Sequence, residues 1–331
     1  MPYQPTLLQV PPGHTILEVS SFTPQGSLLG TALEVQSGVQ YTTVCRWSPS
    51  GVVETLANRM RNVYGRVVGG EDGVVVLSAA YDHDGPSKPL AIVAGQVHDL
   101  GAAYPGPTGI ARMNASGSFV GIVRGATHNF GFVATLTTMR PVVTPDPSAE
   151  SNASGITDDG LIYGNWRPGP GVPMRGFLER GGVAEDLREF LPVAANESWL
   201  AVGRLSTGPE FAYGTFDLRQ RPLEYRPVPL PRGQEYMSGA LIDGAGNVAG
   251  YCWQGSPAAT PYEGFVASGG GSERLDVLLG LSGQGIGRIT AIGRDGAIAG
   301  PFGASHYVAR PGAAPVVAAP VKKPPRPLPR R

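Results

Sequence analysis

Cysteine is nearly absent: Cys45 and Cys252 are the only two in 331 residues. That excludes a disulfide framework, and both are read as reduced, buried thiols. Lysine is scarce as well. Lys88, Lys322 and Lys323 are the whole complement, so arginine carries nearly all positive charge outside the C-terminal segment. Charged residues make up 16% of the chain and the net charge is zero, which excludes a broad basic groove for nucleic acid on the body. No stretch approaches the roughly 18 uninterrupted apolar residues of a membrane-spanning helix. The opening, MPYQPTLLQVPPGH, has neither a basic n-region nor an apolar h-region. No signal peptide is therefore expected; a cytoplasmic or virion-associated location follows, with export by another route left open.

Glycine (48) and proline (32) are abundant. Each weakens a helix interior, by about 1 and about 3 kcal/mol respectively, so a bundle of long helices is excluded. Hydrophobic residues at 41% supply a sizeable core, against wholesale disorder. Many short strands joined by Gly/Pro turns is the remaining solution. ETLANRMR (54–61) and EDLREFLPV (185–193) are too short in helical period to change this.

A unit recurs about every 45 residues: Gly, a small or polar residue, two mostly apolar residues, Gly. It reads GSLLG at 26–30, GSFVG at 117–121, GLIYG at 160–164, GNVAG at 246–250 and GAIAG at 296–300, with degenerate copies GVVVL at 73–77 and EFAYG at 210–214. An apolar segment and a polar turn precede it, as in TGIARMNASG and GALIDGAG. A second apolar piece follows: NFGFVA, MRGFLE, YEGFVA, SHYVAR. A short piece ending in Leu completes it: VVETL, QVHDL, VAEDL, RLDVL. Four short strands per period is one propeller blade. Seven periods use up the chain, and the two ends together supply the last. The expected fold is all-β, a single seven-bladed β-propeller over 1–311, closed by pairing of its N- and C-terminal segments. A Pro-rich basic tail occupies 312–331. TLLQV (6–10) and PVVA (315–318) compete for the closing strand.

This pattern, (N/D)xxG-xx-G followed by a GF(V/L) strand and a closing DL, resembles the HAF-type repeat family, whose repeats are read as propeller blades. The resemblance covers residues 13–310 and is specific in blades three, four, six and seven. Blade two departs from it, with Leu77 in place of the second Gly, and PEFAYG blurs the first Gly of blade five. Of the His-Ala-Phe strand only His306 before Tyr307 is present, with no Ala between. The resemblance implies the fold and brings no catalytic residues with it.

No GxSxG, HExxH or Walker A motif occurs, and GQGIGR (283–288) lacks the strand–turn–helix context of a dinucleotide loop. YDHDG (81–85) lacks the ligand spacing of an EF-hand loop. Neither a metal nor a cofactor is implied. The turns between second and third strands are longer than the (N/D)xxG hairpins and carry the informative side chains: His83, His128, Trp166, Arg167, Trp253 and His306. These six are the candidate binding residues, because loops on a rigid scaffold commonly carry function. Their plain alternative is packing for the tryptophans and solvated turns for the histidines. The tail cations Lys322, Lys323, Arg326, Arg330 and Arg331 are candidates for an acidic surface or nucleic acid. The expectation is a non-enzymatic interaction or assembly module with a protein partner, a glycan being possible. Two alternatives stand beside it: a lyase- or hydrolase-type propeller with a His/Asp site at the central mouth, and a virion structural or glycan-binding subunit.

Overall fold

Apolar segments punctuated by glycine turns build seven four-stranded antiparallel sheets in the computed structural model. It describes residues 3–71, 74–81, 87–101, 108–125, 127–255, 262–281 and 287–312. The inner strands, in blade order, are Thr15–Phe22, Val63–Glu71, Thr108–Met113, Glu150–Ile156, Phe190–Ala195, Tyr236–Ile242 and Ala291–Ile292. Each contacts its neighbours around the ring, the first touching the last. The chain is a seven-bladed β-propeller, as the period predicts. No helix among the described residues is long and apolar enough to cross a membrane.

The repeat has a steric explanation. In blades three, four and six the second Gly of the unit pairs across the sheet with the aromatic of the GF strand: Gly121 with Phe132, Gly164 with Phe177, Gly250 with Phe265. Those three rings are fully buried. On its other side the same Gly faces an inner strand whose register slips by a bulge, between Ile110 and Arg112 in blade three and between Ala153 and Gly155 in blade four. A bulge turns a backbone carbonyl toward the partner strand, and only a residue without a side chain leaves it room. A Cβ on Gly164 would overlap the Asn152 carbonyl oxygen and stand 2.9 Å from Phe177 Cε1.

The (N/D)xxG hairpins also join the blades. Asn114 Oδ1 accepts from the Ser118 N–H at 2.9 Å inside its own turn, while Nδ2 donates to the Thr157 carbonyl of the next blade at 3.0 Å. Asn196 repeats this with the Asp243 carbonyl at 2.9 Å. Asparagine suits the position because one side chain is both acceptor and donor.

Blade five corrects the sequence register. Its second Gly is Gly203, at the bulge opposite Pro192, and not Gly214. Gly214 begins the third strand and pairs with Gly203. The hairpin is Asn196 to Leu200, with Trp199 at φ +62° where other blades have glycine. The Trp199 indole donates to Asp159 at 3.1 Å and lies under the Arg180 guanidinium at 4.9 Å. These contacts from blade four offset a backbone state that costs a large residue roughly 1–3 kcal/mol. RLDVL departs from the expected outer strand too. Gly271–Arg274 is the strand and Leu275–Leu278 a single helical turn, because Leu275 and Leu279 sink into the space between blades six and seven.

Closure uses the N-terminus. Tyr3–Leu7 is the outermost strand of blade seven, in register from Tyr3 with Pro311 to Leu7 with Tyr307. The strand lies three residues ahead of TLLQV, because the chain crosses to blade one after Leu8: the Leu8 N–H still meets the His306 carbonyl of blade seven, and the Gln9 N–H meets that of Gly51 in blade one, both at 3.0 Å. PVVA and the five tail cations lie outside the described residues.

Candidate functional site: the axial channel

Inner strands run along the axis, so their inward side chains line a central channel. Three of them place a charge among apolar or small residues, Glu18, Arg66 and Arg112, and Arg288 stands three residues ahead of the blade-seven inner strand. All four line a cavity of about 680 Å3, with Asp158, Tyr163, Tyr251 and Arg294. The tyrosines come from second strands and reach the axis through gaps in the inner strand. Tyr163 passes over Gly155 and Tyr251 over Gly239, where a Cβ would stand 2.6 Å from Tyr251 Cε1.

The hairpin-face end of the channel is bridged. Arg294, on the blade-seven hairpin, reaches Asp158 of blade four and lies 3.6 Å from Glu197 of blade five. Asp158 also accepts the Ala115 N–H at 2.8 Å, and Glu197 accepts the Asp158 N–H at 2.7 Å. Burial raises the Glu197 carboxyl above its ordinary value, against the pull of that N–H and of Arg294 and Arg112.

At the loop face the channel opens into a vestibule between blades seven, one and two. It is lined by Glu18, Tyr64, Arg66, Arg288 and His306 among others, with a volume of about 670 Å3. Glu18 lies 3.6 Å from Arg66. Burial raises the Glu18 carboxyl above 4.5, and Arg66 opposes this in part. Burial lowers His306 below 6.5, and its Nδ1 is enclosed with no hydrogen-bond partner. Arg288 stands over the Tyr251 and Tyr262 rings at 5.4 and 5.6 Å, favourable cation–π distances.

The six loop residues singled out in the sequence separate. His306 stands at the mouth. His128 is exposed on the blade-three loop beside Thr127, at 3.1 Å, and Arg167 is exposed and paired with Glu150 at 3.7 Å. His83 lies outside the described residues. Trp166 and Trp253 are corrections: at 5% and 2% exposure they are core rings and offer no contact surface. Trp166 is covered by Arg175 at 5.5 Å. Trp253 is enclosed by Phe211, Tyr236, Tyr251 and Tyr262, with centroids 5.1 to 6.2 Å away. Sequence reasoning missed Glu18, Arg66, Arg112, Tyr163, Tyr251 and Arg288. The available signal, for Glu18 and Arg112, was a lone charge in a first strand otherwise free of charge.

Fold and channel together define a closed seven-bladed propeller with a polar axial cavity. No known family profile matches the chain, and no characterised protein matches it by sequence; the HAF-type resemblance rests on the repeats alone. Solved structures do resemble it. The β-propeller domain of the Trilobed protease from Pyrococcus furiosus, described as having an open velcro topology, superposes with TM-score 0.58 at 8% identity over 92% of each chain. Apo prolyl oligopeptidase B from Galerina marginata gives 0.56 at 9%, over 87% of this chain and 47% of that one. Pyrococcus horikoshii acylaminoacyl peptidase gives 0.52 at 7%, over 86% and 48%. The chain spans under half the length of those two peptidases. At such identities the likeness shows the fold. The expectation of a non-enzymatic interaction module is nonetheless corrected. The similar propellers named here belong to peptidases, two of the proposed contact residues are core, and the mouth presents titratable groups where a binder would present a flat apolar patch.

Proposed function

We propose that this is an enzyme-type propeller, a hydrolase or lyase, working at the loop-face mouth of the axial channel. Glu18 and His306 are its proton-transfer groups, and Arg66 and Arg288 hold an oxyanion of the substrate. The observation that carries this reading is that a partly buried carboxyl and a neutral imidazole with a free ring nitrogen line one opening together with two guanidiniums. Burial moves the two titrations toward each other, which suits proton transfer near neutral pH. Ionised Glu18 is the base; His306, neutral through most of the same range, passes the proton on. The guanidiniums offer preorganised positive charge to an oxygen that becomes negative.

The test is turnover of a panel of peptides, aminoacyl anilides, p-nitrophenyl esters and sugar lactones. Peptides are included because the similar structures include peptidases. Glu18→Gln is expected to lower kcat by roughly 100-fold or more, the usual worth of a general acid or base, and His306→Gln by less. Activity should fall as pH drops through a midpoint above the ordinary carboxyl value of 4.5, because protonation removes the base form of a group whose pKa is raised. Glu18→Gln should erase that limb. Absence of turnover across the panel, or full activity in Glu18→Gln, refutes the assignment.

A further inference from the structure

Deeper in the channel, Arg112 and Tyr163 form a second polar centre that the mouth chemistry does not use. Arg112 is half-buried and lines the cavity, and no carboxylate among the described residues lies within ion-pair distance of it. Its Nη1 makes two long contacts, 3.5 Å to Tyr163 Oη and 3.4 Å to the Ala195 carbonyl. The nearby Glu197 is occupied by the Asp158 N–H and by Arg294. Tyr163 is fully buried, yet its ring is let into the cavity by Gly155. Its hydroxyl oxygen accepts the Ala195 N–H at 3.0 Å, and its own hydrogen goes to no acceptor among the described residues. A fully buried hydroxyl that withholds its hydrogen from the protein leaves it for something in the cavity, since an unmet buried donor costs about 1–3 kcal/mol.

We infer that the middle of the channel is a carboxylate-binding site, in which the Arg112 guanidinium and the Tyr163 hydroxyl each donate to one carboxylate group of a small ligand admitted from the loop face. A single uncommitted guanidinium at this depth matches a single negative charge. A phosphate dianion would bring both its charges toward Asp158 and Glu197, where Arg294 is already paired with those two carboxylates, whereas the second carboxylate of a dicarboxylate can extend toward Arg66 and Arg288 at the mouth. The cavity volume is that of an ordinary small-molecule site. The site rests on the channel's holding a ligand and is independent of proton transfer at Glu18 and His306.

The full-length chain is melted in sodium acetate, succinate or inorganic phosphate, each against sodium chloride of equal ionic strength. A ligand that binds only the folded chain raises the melting temperature in proportion to its occupancy. Succinate or acetate is expected to raise it above the chloride control. Arg112→Gln is expected to abolish that increment, and Tyr163→Phe to reduce it, each variant measured against its own baseline because Ala195 N–H loses an acceptor in the second. Glu18→Gln and His306→Gln should keep the increment, which separates this site from the acid–base reading. No increment in the parent chain, an undiminished one in Arg112→Gln, or a response to phosphate but not to carboxylates would overturn the assignment.

Discussion

Gly164→Val and Gly203→Val are each expected to destabilise the ring by about 3 kcal/mol or more, the upper end of ordinary overpacking. In neither case is the obstacle a side chain that could rotate away. At Gly164 a Cβ overlaps the Asn152 carbonyl oxygen and stands 3.0 Å from Ala153 Cα; at Gly203 it overlaps the Leu191 carbonyl oxygen and stands 3.0 Å from Pro192 Cα. Backbone of the inner strand would have to move, and that strand is held from its other side by the next blade. In blade four the ring of Phe177 also fills the space above the glycine. At about 2 °C per kcal/mol for a domain of this size or somewhat smaller, a drop of roughly 6 °C is expected. Gly169→Ala is the control, since a Cβ there meets nothing within 4 Å and its φ is not left-handed. Calorimetry of the three variants settles the matter. A parental melting temperature in Gly203→Val would return the blade-five repeat to the 210–214 register.

The period, the blade count and the role of the ends were legible because they follow from local chemistry. Glycine at a left-handed turn and glycine opposite a bulge cannot be replaced cheaply, so both leave a mark every 45 or so residues. Blade five escaped because Trp199 takes the left-handed position, with Asp159 and Arg180 of the neighbouring blade as its support. No pattern within one repeat shows that. The channel escaped for a related reason. Glu18, Arg66, Arg112 and Arg288 sit in four different blades, and each alone reads as the solvent-facing residue of a strand. Ring closure is what makes that solvent face an enclosed axis. Conversely, Trp166 and Trp253 read as contact residues because they stand on long turns. The structure buries them against the preceding blade: Trp166 shares a core cluster with Val120 and Val142 of blade three, and Trp253 packs on Phe211 of blade five.

Removing residues 1–10 is expected to open the ring, with the largest loss of stability among the changes considered. The deletion strips five paired residues from the outer edge of blade seven. It also removes the Tyr3 hydroxyl, which donates to the Gly296 carbonyl at 3.1 Å on the hairpin face. Leu8 goes too, buried against Ile16 and Trp47 at the junction with blade one, and full burial of one leucine is worth about 1.5–3 kcal/mol. The Trp47 indole, fully buried, loses the Gln9 carbonyl that accepts its N–H at 2.8 Å; an orphaned donor costs about 1–3 kcal/mol more. What remains is a strand edge from Ser305 to Pro311, with Tyr307 and Val308 uncovered, and such an edge templates association. The shortened chain should melt well below the parent and should elute as oligomers at concentrations where the parent does not. Adding a synthetic peptide of residues 1–10 in trans should restore part of the melting temperature, because the strand contributes through contacts that need no covalent link. If the shortened chain melts with the parent, a segment other than Tyr3–Leu7 closes blade seven.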